Sequence, residues 1–217
     1  MRAAERAYAS IREGILHGKH AAGSRLTEED LARTAGVSRT PIREALRRLH
    51  AEGLVQFEPN HGAVVALYDL ERAEEIFELR ALLEPISARR AAERATPGMI
   101  SALRSLAEQQ IAESARRTGE YLQRIGQLND RFHRLIQAAA ESVRLEKTLA
   151  GLIEAPLILR TFKQYTPAEL MRSADQHLEL VQAFEARDPV WAQSILAAHI
   201  LAGRAAYLRS RLERKDP

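Results

Sequence analysis

The pattern of hydrophobic and polar positions changes near residue 67. Before that point, short apolar patterns are interrupted repeatedly by glycine. After it, long stretches repeat their apolar residues with the period of an α-helix and contain few breaks. This change predicts two domains, at residues 1–67 and 68–217.

The first domain has the pattern of three short helices followed by a β-hairpin. Thr27 is a capping residue for the second helix, and the third helix starts at Ser38 or Thr40. Residues 54–57 and 63–66 have the apolar, β-branched composition of two strands around a turn. This order of elements is that of a winged helix-turn-helix.

The second domain is predicted to be a bundle of about six helices without strands. Three helices are preceded by a capping residue and begin with proline, at Thr96-Pro97, Thr166-Pro167 and Asp188-Pro189. The predicted helices span residues 70–94, 97–117, 120–140, 142–162, 167–187 and 189–214. Pro85 predicts a kink in the first of them. The fold class is therefore mainly α, with an N-terminal winged helix-turn-helix and a C-terminal all-α bundle.

Arginine side chains follow one face of the third predicted helix. Arg39, Arg43 and Arg47 are spaced four residues apart, to one side of the apolar face. A guanidinium group matches O6 and N7 of guanine and also binds phosphate. Ser38 and Thr40 offer hydroxyl and backbone N–H groups to phosphates at the start of the helix. An arginine stripe is common on solvated helices, but its place in a helix-turn-helix order favours binding to double-stranded DNA.

The composition and charge of the chain exclude several classes of protein and of functional site. The formal net charge of +3 is too small to indicate a nucleic-acid partner by itself. The absence of cysteine excludes disulfides, thiolate metal sites and cysteine nucleophiles. No apolar stretch approaches the length of a membrane-spanning helix, and the first residues lack the apolar core of a signal peptide. We therefore expect a cytoplasmic protein without a membrane partner.

Three histidines lie on the inward faces of three different predicted helices of the second domain. They are His133, His177 and His199, and Asn129 precedes His133 by one helical turn. A buried imidazole needs a partner for its ring nitrogens, and these four side chains can satisfy one another by sharing a divalent cation. The alternative is that each histidine is a separate core residue bonded to a backbone carbonyl.

Two groups of motifs resemble one family of bacterial regulators. Residues 31–49, LARTAGVSRTPIREALRRL, and 51–55, AEGLV, resemble the DNA-binding domain of GntR-type transcription regulators. Residues 78–85, ELRALLEP, and 129–133, NDRFH, resemble the FadR-type effector domain of that family, the FCD domain. The resemblance covers nearly the whole chain.

The resemblance implies a set of DNA-binding residues, namely Ser38, Arg39, Thr40, Arg43, His61 and Gly62. Arg39 and Arg43 would contact operator bases or phosphates, and the wing tip at His61 and Gly62 would enter the adjoining minor groove. A polar residue before glycine is also common in turns, which is the alternative role of His61. Glu29 stands where some members of the family carry a further base-contacting arginine. The contacts with the outer operator bases are therefore expected to differ.

In the second domain the resemblance implies a divalent metal ion, held by Asn129, His133, His177 and His199. Zn, Ni, Mn and Fe all accept such ligands. Asn129 replaces the aspartate that is frequent in the family, so the ligands leave the charge of the cation uncompensated. We therefore predict a small carboxylic-acid effector bound to the metal. Arg80 either binds the effector carboxylate or pairs with Glu84, four residues later.

Together these features predict a ligand-responsive, homodimeric transcription regulator that binds a palindromic operator and is not an enzyme. The alternative is a metal-dependent hydrolase with an accessory DNA-binding module. A hydrolase needs a general base beside the metal-bound water. Asp130, Asp175 and Glu179 are the nearest candidates, and their offsets from the histidines direct them away from the inward face.

Overall fold

The computed structural model describes residues 3–16, 19–59, 61–66, 70–152 and 155–212. The chain forms two compact units, Met1–Asp69 and Leu70–Pro217. Within the part of the chain that the structure describes, no helix is both long enough and apolar enough to cross a membrane. The predicted fold class is confirmed, since a helix-turn-helix with a small sheet precedes a purely helical second unit.

The described residues of the first unit form three helices and a three-stranded sheet. Its elements are α1 (Ala3–Leu16), β1 (Arg25–Leu26), α2 (Glu28–Ala35), α3 (Arg39–Ala51), β2 (Val55–Glu58) and β3 (Gly62–Val65). The sheet is antiparallel in the order β1-β3-β2. Strand β1 was not predicted from the sequence, and each hairpin strand is displaced by one residue from its predicted range. Asn60, in the predicted turn, lies outside the described residues.

A capping side chain, a glycine and a buried apolar face determine where the helices of the helix-turn-helix begin, end and pack. The Thr27 side chain caps α2 by accepting a hydrogen bond from the backbone N–H of Asp30. Gly36 ends α2 with φ +62°, a left-handed conformation that favours glycine. Ile42 and Leu46 of α3 are fully buried in the core of the unit. The opposite face of α3 is thereby left to solvent.

The second unit is a bundle with seven helices among the described residues. They are α4 (Leu70–Arg94), α5 (Pro97–Arg116), α6 (Tyr121–Ala139), α7 (Val143–Leu152), α8 (Ala155–Gln164), α9 (Pro167–Glu185) and α10 (Pro189–Leu212). The predicted helix over residues 142–162 corresponds to α7 and α8, and residues 153–154 between them lie outside the described residues.

The helix starts marked by proline lie where they were predicted. Thr96 caps α5 and Thr166 caps α9, each through its side chain, and Asp188 accepts hydrogen bonds from two backbone N–H groups at the start of α10. Helix α4 continues through Pro85. The long helices α4 and α10 pack along each other, and α5, α6 and α9 complete the bundle around the histidines.

Candidate DNA-binding face and metal centre

Helix α3 presents its arginines to solvent as predicted. Arg39, Arg43 and Arg47 are all exposed, along a stripe beside the buried face that contains Ile42 and Leu46. The helical period places this stripe on average about a third of a turn from the buried face of α3. The side chains that the sequence predicted for DNA contact are therefore accessible.

Two of these arginines are paired with acidic residues of α2. The guanidinium of Arg39 lies 2.9 Å from a carboxylate oxygen of Glu29, and that of Arg43 lies 2.8 Å from Glu28. The hydrogen bond from Arg43 lowers the pKa of Glu28 below its usual value. A DNA phosphate that binds either arginine would therefore have to compete with these carboxylates.

The remaining predicted DNA-binding residues lie at the start of α3 and in the wing. Ser38 is the N-cap residue but makes no capping hydrogen bond through its side chain, and Thr40 is exposed. His61 and Gly62 are exposed at the start of β3. The Nδ1 atom of His61 lies 3.2 Å from the carbonyl oxygen of Pro59, so the turn role of this histidine is also present.

His50 is an exposed residue in the last turn of α3. Its Nδ1 atom lies 2.8 Å from the carbonyl oxygen of Val55, and its ring packs edge-on against Phe57. His50 therefore links α3 to strand β2, although it remains exposed.

The structure brings the three inward histidines of the second unit together. His133 of α6, His177 of α9 and His199 of α10 offer ring nitrogens that all lie within 4.8 Å of one another. Their ring centroids are separated by 4.7 to 5.3 Å. Phe132 stacks on the ring of His177 with centroids 4.1 Å apart and fixes its plane.

The atoms that face this cluster lack hydrogen-bond partners. Four buried atoms have none among the described residues: Oδ1 of Asn129, Nε2 of His133, Nε2 of His177 and Nδ1 of His199. A buried polar atom without a partner costs free energy, on the order of 1–3 kcal/mol. Four such atoms on the side chains predicted as metal ligands fit the donor set of a divalent cation.

Two residues behind the cluster orient the imidazoles. Nδ1 of His133 lies 2.7 Å from a carboxylate oxygen of Glu84, and Nδ1 of His177 lies 2.7 Å from the amide oxygen of Gln110. An oxygen acceptor at Nδ1 requires the proton there, which leaves the lone pair on Nε2. The unpartnered Nε2 atoms are thus the ones able to bind a cation.

Burial favours the neutral form of two histidines of the cluster. It lowers the pKa of His177 well below the usual value and that of His199 to about 3. Burial would raise the pKa of Glu84, but Arg80 and His133 outweigh it and hold this pKa at about 2. At neutral pH, His177 and His199 are therefore neutral imidazoles beside an ionised Glu84.

Arg80 pairs with Glu84, one of its two predicted roles. The distance between Nε of Arg80 and a carboxylate oxygen of Glu84 is 2.5 Å, and both side chains are buried. Arg80 also lines a cavity of about 20 Å³ together with Asn129, Tyr165 and His199. The second role, binding of an effector carboxylate, remains a prediction.

The sequence predictions missed the positioning roles of Glu84 and Gln110. Glu84 was considered only as a partner of Arg80. Gln110 gave a weak signal, since it is a polar residue on the otherwise apolar inward face of α5, which includes Leu103 and Ala107. Both residues could have been suspected because a metal-binding histidine normally donates its second N–H to an acceptor.

Comparison with known families assigns both units. Residues 3–65 match the bacterial regulatory proteins of the gntR family, and residues 75–202, more than half of the chain, match the FCD domain. The chain belongs to the GntR family of bacterial transcription regulators. The FCD domain places this GntR-family regulator in the FadR-type subfamily.

Curated relatives of this GntR-family regulator carry related names. It is 30% identical over 178 residues to the Nta operon transcriptional regulator of Aminobacter aminovorans, covering 82% of this chain and 81% of the relative. It is 27% identical to the HTH-type transcriptional repressor RspR of Escherichia coli K12, covering 96% and 90% of the two chains. The solved structure of E. coli McbR/YncC has the same fold, with a TM-score of 0.79, 23% identity and coverage of 97% and 99%.

This GntR-family regulator is a transcription regulator and not an enzyme. The geometry agrees with the family, since the acidic residues considered for a hydrolase are not placed for catalysis. Asp130 and Asp175 are exposed, and Glu179 accepts a hydrogen bond from Nε1 of Trp191 at 3.2 Å. The hydrolase alternative is therefore not supported.

Proposed function

We propose that this GntR-family regulator binds a palindromic operator as a homodimer, and that a small carboxylic acid controls that binding from a metal site in the FCD domain. The observation that carries the proposal is the set of four unpartnered, buried donor atoms on Asn129, His133, His177 and His199. A regulator of transcription acts on chromosomal DNA, so the cytoplasm is its proposed location.

Helix α3 supports the DNA-binding part of the proposal. Arg39 and Arg43 lie on its exposed face close to its N-terminus, beside the exposed Ser38 and Thr40. In a two-fold dimer, two copies of such a helix enter successive major grooves of a palindromic site. The hydroxyl groups and the helix N-terminus would then hold phosphates, while the guanidinium groups contact base edges.

The histidine cluster supports the metal part. Acceptors at Nδ1 direct the lone pairs of His133 and His177 inward, and Asn129 adds an amide oxygen. Such a mixture of imidazole and amide oxygen suits Zn, Ni, Mn or Fe. When bound there, the cation would supply positive charge and an open coordination position for an anion.

The charges around the cluster support an anionic effector. The carboxylate of Glu84 is already neutralised by Arg80, so it leaves a divalent cation uncompensated. Arg80, Asn129 and His199 line one cavity, where a carboxylate can approach the metal ligands and the guanidinium together. Burial raises the pKa of Tyr165, which lines the same cavity, to about 12, so its hydroxyl stays protonated and can donate a hydrogen bond.

The size of the cavity suggests how an effector acts. Its volume of about 20 Å³ accepts a group of the size of a water molecule, so the rest of an organic acid requires neighbouring side chains to move. The walls belong to α4, α6, α8 and α10. An effector that binds one arrangement of these helices more tightly shifts the population toward it, and DNA affinity changes by the same coupling free energy.

The metal part is tested by elemental analysis of the full-length protein, purified without added metal or chelator. We expect about one transition-metal ion per chain in the wild type and its loss in His133→Ala. His61→Ala is the matched control, because it removes a histidine of the first unit and should keep the metal. A metal-free wild type that takes up neither Zn²⁺ nor Ni²⁺ in calorimetry would contradict the site.

The DNA part is tested by fluorescence anisotropy with a duplex selected from a random pool by the wild type. Arg39→Ala and Arg43→Ala should each weaken binding by about 1–3 kcal/mol if they contact bases. Arg33→Ala is the control, since Arg33 is also exposed and ion-paired but lies on α2. Equal affinities for all four proteins would refute the assignment of α3.

The effector part is tested by screening small carboxylic acids for an effect on that affinity. An active acid should lose its effect in His177→Ala while DNA binding without the acid persists. Calorimetry with the metal-loaded and the metal-stripped protein then shows whether the acid needs the metal. An acid that acts equally on the His177→Ala protein would place the effector elsewhere.

A further inference from the structure

The three arginines of the exposed stripe on α3 differ in their surroundings. Arg39 and Arg43 each form an ion pair with a carboxylate of α2, at 2.9 and 2.8 Å. Arg47, the next arginine at the same spacing, is exposed and has no ion-pair partner among the residues that the structure describes. The stripe therefore contains two arginines whose charge is compensated and one whose charge is not.

The position of Arg47 on α3 accounts for this difference. Each step of four residues turns the stripe by about 40° and moves it about 6 Å along the helix axis. Arg47 is therefore about 12 Å further along α3 than Arg39, which agrees with its lack of an ion pair with the acidic first turn of α2. The same rotation places Arg47 nearly opposite the buried Ala45 and Leu49, on the face of α3 directed farthest from the core.

Non-specific DNA and an operator offer different groups to these arginines. Every DNA sequence offers phosphates, and binding to them depends steeply on salt because counterions are released. A phosphate that takes an arginine from Glu28 or Glu29 replaces one anion with another, and the displaced carboxylate stays nearby and repels it. O6 and N7 of guanine are uncharged acceptors that bind a guanidinium through two hydrogen bonds. The two ion pairs thus oppose a phosphate more than they oppose a guanine edge.

We propose that Arg47 provides the salt-dependent contact of α3 with the DNA backbone on any sequence, and that Glu28 and Glu29 restrict Arg43 and Arg39 to the operator. In this arrangement the two carboxylates lower the affinity for non-specific DNA and thereby raise the selectivity of the protein. The major groove is about 12 Å wide, so an arginine on a helix within it can reach the backbone. The inference deepens the DNA-binding part of the proposed function and rests on it.

The salt dependence of binding tests the role of Arg47. Fluorescence anisotropy over a salt series measures the affinity of the full-length protein for the selected operator duplex and for a duplex of scrambled sequence. Arg47→Gln should lower the slope of log affinity against log salt by about 0.9 on both duplexes, since one phosphate contact is lost. Arg48→Gln is the control and should keep the slope, because Arg48 is the next residue but is paired with Glu5. Equal slopes for Arg47→Gln and the wild type would overturn the proposal.

The same substitution at the two paired arginines tests their restriction to the operator. Arg39→Gln and Arg43→Gln should each weaken operator binding at least about fivefold, while the affinity for the scrambled duplex changes less than about twofold. Circular dichroism verifies that each variant is folded. If either variant loses as much non-specific affinity and salt slope as Arg47→Gln does, the three arginines are equivalent and the proposal is wrong.

Removal of the two carboxylates tests the selectivity directly. The double variant Glu28→Gln/Glu29→Gln should bind the scrambled duplex more tightly and with a steeper salt slope, so that the ratio of operator to non-specific affinity falls at least about threefold. Asp30→Asn removes a carboxylate of α2 that pairs with Arg33 and should leave this ratio unchanged. A double variant as selective as the wild type overturns the role of the carboxylates. A wild type that does not prefer the operator refutes the DNA-binding part of the proposed function itself.

Discussion

At the scale of single residues, Glu29 pairs with Arg39, the arginine that we propose contacts DNA. The two side chains are exposed and form an ion pair of 2.9 Å across α2 and α3. A carboxylate beside the DNA face repels phosphate and competes for the guanidinium. Exposed pairs of this kind contribute about 0.2–1 kcal/mol, so the competition is modest but measurable.

The substitution Glu29→Gln should therefore tighten DNA binding about two- to fivefold at low salt, since it frees Arg39 from that pair. The dependence of affinity on salt should become steeper, because Arg39 then neutralises a phosphate more fully. Fluorescence anisotropy over a salt series measures both effects. Asp30→Asn, on the same helix but paired with Arg33, should change little. Weaker binding by Glu29→Gln would mean that Glu29 itself contacts DNA or positions Arg39.

Gly203 controls the space available in the cavity of the second unit. A Cβ atom at this position would lie 3.1 Å from the hydroxyl of Tyr165 and 3.6 Å from the Phe77 ring. Gly203→Ala should therefore weaken binding of the effector carboxylate about tenfold and leave the metal content unchanged. Calorimetry and elemental analysis give the two readouts. Gly151→Ala, where a Cβ meets nothing within 4 Å, is the control. Loss of metal in Gly203→Ala would show a wider structural effect.

The sequence predicted only some of the residues that form the histidine cluster of the second unit. Helical periodicity predicted that His133, His177 and His199 face inward, because the period fixes which residues share a face. Periodicity says nothing about the rotation and height at which separate helices meet. Gln110 lies 67 positions before His177 in the chain, and only the packing of α5 on α9 brings them together.

At the scale of helices and strands, the start of α9 combines a capping box with an ion pair. Thr166 and Glu169 exchange side-chain and backbone hydrogen bonds, and Glu169 also pairs with Arg209 of α10 at 2.8 Å. The hydrogen bond from Arg209 is the largest influence on the pKa of Glu169, which is lowered to about 2. A lowered carboxyl pKa stabilises the fold above the unfolded value and loses that contribution as pH falls through the folded value.

Glu169→Gln should consequently lower the free energy of unfolding by about 1 kcal/mol at pH 7, after allowance for solvent screening at the half-exposed Arg209. The difference from the wild type should shrink as the pH is lowered from about 4.5 toward 2. Urea unfolding of both proteins at several pH values measures this difference in the free energy of unfolding. Glu146→Gln, an exposed glutamate in the first turn of α7, is the control. A difference that does not depend on pH would contradict the role of the Glu169 charge.

Elements with strong local signals were predictable and those with weak ones were not. Caps followed by proline at Thr96 and Thr166 marked the starts of α5 and α9, since both features satisfy the free groups of a helix N-terminus. Strand β1 has two residues, too few for any period, and exists through its pairing with β3.

At the scale of the whole molecule, the fluorescence of one tryptophan can be used to follow the unfolding of the second unit separately. The chain has a single tryptophan, Trp191, and it lies in the second unit, where Nε1 donates to Glu179. Its fluorescence therefore follows unfolding of the FCD domain alone. Far-ultraviolet circular dichroism follows the helices of both units.

Metal binding to the native FCD domain should raise the stability that Trp191 reports. At a free metal concentration of 100 times the dissociation constant, the gain is about 2.7 kcal/mol, because the ion binds the folded domain and not the unfolded chain. The urea midpoint measured by fluorescence should rise when Zn²⁺ or Ni²⁺ is added to chelator-treated protein. His177→Gln should show no such rise, whereas His61→Ala should behave as the wild type. A rise of equal size in His177→Gln would assign the ion to other ligands, and no rise in the wild type would leave the four buried donor atoms to be satisfied by water.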